Sequence, residues 1–167
     1  DGGLQTERVN VRDIYRDVMA DLEPRAVARQ IAFAARFVAE ELQAHRFALS
    51  VLLRNLLVNA INYSPAGGKV ELHCEALRDA IALTVDDSGR GIAPVDRERA
   101  FERFNRLGQT QAQGVGLGLS IVLSVVELHH AKIQLLESPL GGLRVRVLFA
   151  SIPIAASPLP AARPARG

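Results

Sequence analysis

The chain has 167 residues, 49% hydrophobic and 23% charged, the proportions of one globular domain rather than a disordered segment. Twenty basic against 18 acidic side chains leave a formal net charge of only +2, which excludes a strongly basic nucleic-acid binder. The single cysteine, Cys74, excludes an internal disulfide framework and a Cys-based zinc site; no signal peptide opens the chain, and no run of about 18 apolar residues could span a membrane.

Residues 1–8 are polar and Gly-containing and read as a linker. From Val11 to Arg29, apolar residues at Ile14, Val18, Leu22 and Val27 predict a helix whose end Pro24 disturbs. Ile31 to Val38 reads as a strand, and His45 falls in the connection that follows. Leu49 to Tyr63 predicts a strongly amphipathic helix. At about 100° per residue, Leu49, Leu53, Leu56, Leu57 and Ala60 share one side, and Asn55, Asn59 and Asn62 the other. Ser64-Pro65-Ala66-Gly67-Gly68 ends it. Strands over Val70–Ala76 and Ala80–Asp86 form a first hairpin. A polar stretch runs from Arg103 to Gln113, followed by an apolar helix from Val115 to His129. Lys132–Glu137 and Leu143–Phe149 form a closing hairpin that turns at 138–142. Two hairpins among helices predict an α+β sandwich rather than a doubly wound parallel sheet. Residues 151–167 hold four of the eight prolines and read as a flexible tail, leaving 9–150 as the domain.

Three local patterns carry chemistry. Asn55, Asn59 and Asn62 share a helix face, and amide oxygens are hard ligands of the kind Mg²⁺ accepts alongside water and phosphate; a plain solvent face has the same spacing. In Asp86-Asp87-Ser88-Gly89-Arg90-Gly91-Ile92, strand alternation continues the apolar face of Ile81, Leu83 and Val85 into Asp87. A carboxylate there can accept from a buried donor such as an adenine amino group, although an Asp-Gly turn alone looks the same. The alternation turns Asp86 the other way, toward solvent. In Gly114-Val115-Gly116-Leu117-Gly118-Leu119, closely spaced glycines precede a helix and can present N–H groups to an anion. Their spacing departs from the dinucleotide fingerprint, because the third glycine comes one position early.

In this order and at these separations the three patterns resemble the N, G1 and G2 boxes of the sensor histidine kinase ATP-binding domain. Ala100-Phe101-Glu102-Arg103-Phe104-Asn105-Arg106 is similar to its F box, and Leu135 to Val147 to its closing hairpin. The resemblance covers about Val9 to Phe149. It implies the Bergerat fold: a mixed, mostly antiparallel sheet of about five strands on about three helices, with ATP held beneath a mobile lid.

By position, the resemblance implies that Asn59 ligates Mg²⁺ and Asn55 supports metal or phosphates, the two forming the catalytic pair. Tyr63 would lie against adenine, Asp87 accept its amino group, Gly89 and Gly91 shape the pocket, and Ile92 wall it. The lid would run from Glu102 to Gln113, with Arg103, Phe104 and Arg106 at the nucleotide. Gly114, Val115, Gly116, Leu117, Gly118 and Leu119 would hinge the lid, face the phosphates and anchor the helix below. Two departures stand out. Asn62, also at the nucleotide, occupies a position where many relatives carry Lys or Arg, and His129-His130-Ala131 replaces a frequent His-Gly-Gly.

Relatives that hydrolyse ATP or phosphorylate serine carry a general-base glutamate where this chain has Asn55. An amide cannot take a proton at neutral pH, whereas an acceptor imidazole already offers a lone pair. Transfer of the γ-phosphate to histidine is therefore expected. None of the histidines at 45, 73, 129 and 130 sits in a phosphoacceptor context. The resemblance thus implies an acceptor on a dimerisation domain outside this chain, onward transfer to a response regulator, a monomeric fragment of a homodimeric protein, and the cytoplasmic side of a bacterial inner-membrane sensor. A non-catalytic nucleotide-binding module controlling a partner is the alternative.

Overall fold

The computed structural model describes residues 5–101 and 115–151, and side chains in the second stretch from Gly118 onward. The expected lid (102–113) and nearly all of the expected tail (151–167) lie outside the described residues.

Helix α1 (Val11–Ala28) opens on Asn10, whose side chain accepts from the Asp13 N–H at 3.1 Å. Its buried residues Val11, Ile14, Val18, Leu22 and Ala26 recur at three- and four-residue intervals and form one stripe. Pro24 does not end the helix. The carbonyl it leaves unpaired belongs to the exposed Ala20, where water can serve it, and α1 runs four residues further. Helix α2 (Arg46–Tyr63) starts three residues before the expected Leu49. His45 is its N-cap, with Nδ1 accepting from the Ala48 N–H at 3.2 Å. The buried face of α2 is Ala48, Leu49, Leu52, Leu53, Leu56, Leu57, Ala60 and Ile61. Helix α3 (Val115–Leu128) packs on α2. Among the described residues no helix is long and apolar enough to cross a membrane.

These helices cover one face of a five-stranded sheet. Its strands are β2 (Ala32–Phe37), β4 (Lys69–Ala76), β5 (Ala80–Asp87), β6 (Lys132–Glu137) and β7 (Leu143–Ala150), in the order β2-β4-β5-β7-β6. The β2–β4 pair is parallel and the rest antiparallel. Val70, Leu72 and Cys74 of β4, Leu83 and Val85 of β5, and Val145, Val147 and Phe149 of β7 alternate inward onto the α2 leucines. Burial of the Cys74 thiol in this core pushes its pKa up to about 12, so it is an inert apolar side chain and not a nucleophile. The α+β sandwich with a mostly antiparallel five-stranded sheet on three helices is the expected architecture.

One unit was not expected. β1 (Glu7–Asn10), which begins inside the segment read as linker, pairs antiparallel with β3 (Glu41–Ala44), burying Val9 against Leu42.

Helices α1 and α3 end in the same way. Ile31 and Gln30 donate to Ala26 and Val27; Ala131 and His130 donate to Val126 and Glu127. Each is a Schellman closure whose left-handed residue is not glycine: Gln30 at φ 57° and His130 at φ 52°. His130 is exposed, so its side chain offers little in return. His130→Gly should therefore raise stability by about 1 kcal/mol, the left-handed penalty of a side chain less the entropy cost of glycine. A urea midpoint that rises with an unchanged slope is the expected result, and a fall would show that the imidazole holds the turn.

Candidate functional site

The last residue of β5 is the centre of the site. Asp87 is 4% exposed, and its Oδ1 accepts from the Gly89 N–H at 2.9 Å and the Leu143 N–H at 3.0 Å. Both backbone donors fall on one oxygen, Oδ1. Burial pushes the Asp87 pKa up, the two N–H groups oppose that shift, and the neighbouring Asp86 carboxylate adds to it. Tyr63, Arg90, Gly91, Ile92 and Leu143 line a small, mostly apolar cleft with Asp87. Tyr63 ends α2 and is half-buried, which raises its phenol pKa; nearby Arg90 lowers it and Asp87 raises it. The expected Tyr63, Asp87, Gly91 and Ile92 thus meet at one place.

Glycines here allow close backbone approach. A Cβ on Gly89 would stand 2.6 Å from the Tyr63 carbonyl oxygen, so the G1 loop lies directly on the end of α2. Gly91 has φ +70°, in the left-handed region that glycine adopts freely. Gly142 was expected only as a turn residue, yet its N–H donates to the Asp87 carbonyl at 3.1 Å. A Cβ on Gly142 would lie 2.1 Å from Asp87 Oδ1. The hairpin turn between β6 and β7 is therefore part of the pocket wall, as is Leu143. Neither is near Asp87 in sequence, and the Gly141-Gly142 pair was the available signal.

The asparagine face of α2 divides. Asn62 is exposed, and Asn55 and Asn59 are half-buried. Asn55 Nδ2 donates to the Val51 carbonyl at 2.7 Å, which fixes its amide. Asn59 Nδ2 is buried without a partner among the described residues. Gly118 of α3 lies on that amide: its Cβ would be 2.8 Å from both Asn59 Nδ2 and Oδ1. Leu119, 5% exposed, anchors the start of α3 in the core. The N-box asparagine and the last G2 glycine are in contact. Val115, Gly116 and Leu117 open α3; their side chains, with Arg103, Phe104, Arg106 and Gly114, lie outside the described residues.

Asp86 corrects an expectation. It turns away from Asp87 as strand alternation requires, but it is 1% exposed, not solvated. Arg144, its register partner on β7, donates from Nε and Nη2 to its two oxygens at 2.8 Å each. The outer face of β5 is thus covered by long side chains from β7.

The family model described as histidine kinase-, DNA gyrase B- and HSP90-like ATPase matches residues 44–153. The chain is 37% identical over 147 residues to the sensor histidine kinase TmoS of Ectopseudomonas mendocina, covering 84% of this chain and 15% of TmoS. It is 39% identical over 132 residues to the sensor protein IrlS of Burkholderia pseudomallei, covering 77% of this chain and 26% of IrlS. The catalytic domain of histidine kinase ThkA, solved nucleotide-free, superposes with a TM-score of 0.79 at 25% identity, over 88% of this chain and 96% of that one. The chain therefore spans about a quarter or less of the length of these two sensor relatives, but nearly the whole of the solved catalytic domain.

Proposed function

The chain belongs to the family of histidine kinase-, DNA gyrase B- and HSP90-like ATPases, and from that premise we propose that it binds Mg-ATP and passes the γ-phosphate to a histidine on a dimerisation domain outside this chain. The observation that carries the reading is Asp87: a buried carboxylate held through one oxygen by two backbone donors, lining a cleft that Tyr63 and Ile92 flank. An adenine ring fits that combination, its amino group donating to the carboxylate while the apolar walls take its faces.

The residues also fit a triphosphate with its cation. The partnerless Asn59 amide sits against Gly118, where a larger residue would displace it. Asn59 would offer its oxygen to Mg²⁺ and its nitrogen to a phosphate oxygen, and Asn55, its amide nitrogen taken by Val51, would support them with its oxygen from one turn earlier. When bound, Mg²⁺ supplies charge neutralisation between the phosphates. Among the described residues no group of three or more His, Cys, Asp or Glu side chains could hold a metal, so phosphates and water would complete the coordination. Asn55 cannot serve as a base, and the reaction this site suits is attack by an already nucleophilic imidazole on the γ-phosphorus with ADP leaving. A response regulator as final acceptor and a membrane-bound, homodimeric sensor as the parent protein follow from the same reading.

Given Mg-ATP and a separately produced histidine-bearing dimerisation domain, the chain should label that domain on histidine. ATP binding without labelling would favour the alternative, a nucleotide-gated module that controls a partner. Asn59→Ala should weaken Mg-ATP by about tenfold or more, the loss of a contact to a charged group, while adenosine binds as before. Calorimetry with both ligands checks this, and equal Mg-ATP affinity in the variant would remove Asn59 from the metal site.

A further inference from the structure

The sheet face turned away from the helices carries a second cluster. One register row crosses all five strands: Arg36 stands beside His73, His73 opposite Thr84, Thr84 opposite Arg146, and Arg146 opposite Gln134. Side chains directly opposite on one face are about 4.5–5.5 Å apart at Cβ, so a short one between long ones leaves a hollow. Thr84 is the short one. The hollow, about 340 Å³, is lined by Arg36, His73, Thr84 and Arg146, together with Arg144 and Glu75.

Two polar atoms at this hollow lack partners among the described residues. Thr84 is 2% exposed and its Oγ1 makes no hydrogen bond; Arg146 Nε is buried and makes none. The neighbouring charges are largely matched elsewhere. Arg144 is held by both oxygens of Asp86, and His73 Nε2 lies 3.4 Å from Glu71. Arg36 and Arg146 form no ion pair among the described residues, and a guanidinium only donates. Glu75 is the one carboxylate in the lining, and it bonds neither the Thr84 hydroxyl nor Arg146 Nε. Those two donors still want an acceptor, and the Arg36 and Arg146 charges outnumber the single carboxylate, so a negatively charged acceptor suits them.

We propose that this hollow binds a small oxyanion of the phosphate type, Arg146 Nε and the Thr84 hydroxyl donating to its oxygens while Arg36 supplies the second charge. The site is separate from the nucleotide cleft and lies across the sheet from α2. A phosphoryl oxyanion and a carboxylate share this chemistry, and a titration with inorganic phosphate beside one with acetate tells them apart.

Amide and arginine Nε signals should be followed by ¹⁵N NMR at constant ionic strength as phosphate is added. Saturable movement of the Thr84 and Arg146 signals is expected, with acetate binding more weakly. Thr84→Val and Arg146→Gln should each weaken phosphate about tenfold, the loss of one charge-assisted hydrogen bond. Asn59→Ala should leave the effect intact, which separates it from phosphate in the nucleotide cleft. Thr84→Val has a second readout. It replaces a partnerless buried hydroxyl with a methyl group, so the phosphate-free variant should melt higher than the parent, and a given phosphate concentration should raise its melting temperature less. Shifts confined to the surroundings of Asn59 and Gly118 would overturn the proposal. A Thr84→Val variant that melts lower and titrates with phosphate unchanged would do the same.

Discussion

Asp87→Asn should abolish most of the preference for ATP over GTP and at the same time leave the nucleotide-free domain as stable as the parent or more so. The parent carboxylate can accept from an adenine amino group, whereas guanine would present a carbonyl oxygen to a buried carboxylate. A buried polar mismatch costs about 1–3 kcal/mol, more when charged, so a parent preference of roughly tenfold to a hundredfold is expected. The asparagine keeps an oxygen for the Gly89 and Leu143 N–H groups, and its nitrogen can donate to guanine. The stability half follows from the raised Asp87 pKa, whose main cause is burial. A carboxyl group that is harder to ionise folded than unfolded makes the fold less stable as pH rises through the interval between its unfolded value, about 3.9, and its raised folded value. Above that interval the parent bears the full cost of the buried charge, and the asparagine variant does not. The stability difference should therefore be largest near neutral pH and shrink as pH falls. Asp86→Asn should behave in the opposite way. It leaves Arg144 half-paired beside a 1% exposed side chain, and because Arg144 is 24% exposed the loss should be about 2–3 kcal/mol, short of the cost for a fully buried pair. Nucleotide selectivity should survive it. Calorimetric titration with ATP and GTP, beside thermal melts from pH 4 to pH 8, distinguishes the two variants. Equal ATP and GTP affinity in the parent would remove the adenine assignment.

This contrast also marks where sequence reasoning reached and where it stopped. Strand alternation is a local property, so the opposed directions of Asp86 and Asp87 were legible. The surroundings of Asp86 were not, because they depend on Arg144 arriving from 58 residues away. The same limit hid the β1–β3 ribbon: each strand has four residues, too few for a periodic signal, and its partner lies more than 30 residues off. The long apolar stripe of α2 and its asparagine face were visible because a helix declares itself within one segment. Its first turn was missed because histidine is an uncommon N-cap and His45 carried no start signal. The family resemblance, and not glycine spacing alone, joined Gly89 and Gly91 with Gly118. That Gly118 lies on Asn59 is a consequence of α3 crossing α2, and no motif states it.

Gly142→Ala should damage the site as severely as any change to Asp87, from a residue outside the expected boxes. Its added Cβ would stand 2.1 Å from Asp87 Oδ1, 2.5 Å from the Gly89 nitrogen and 2.6 Å from the Asp87 carbonyl oxygen. Two of these three atoms are backbone, so no side-chain rotation relieves the overlap. Either the β6–β7 turn or the G1 loop must move, and both hold Asp87: Leu143 through its N–H, and Gly89 through its own. Forced overpacking of this kind costs about 1–3 kcal/mol, and the displaced carboxylate would lose the geometry that adenine requires. Gly141→Ala supplies the control in the adjoining position. Gly141 has φ +100° but nothing within 4 Å of an added Cβ, so the substitution strains the backbone without pressing on Asp87. It should cost about 1–2 kcal/mol of stability and leave ATP affinity within a factor of two. Denaturant unfolding and ATP calorimetry on the two variants make the comparison: stability falls in both, and nucleotide binding fails in Gly142→Ala alone. Binding retained in Gly142→Ala would mean that the hairpin turn merely neighbours the pocket and does not hold Asp87 in place.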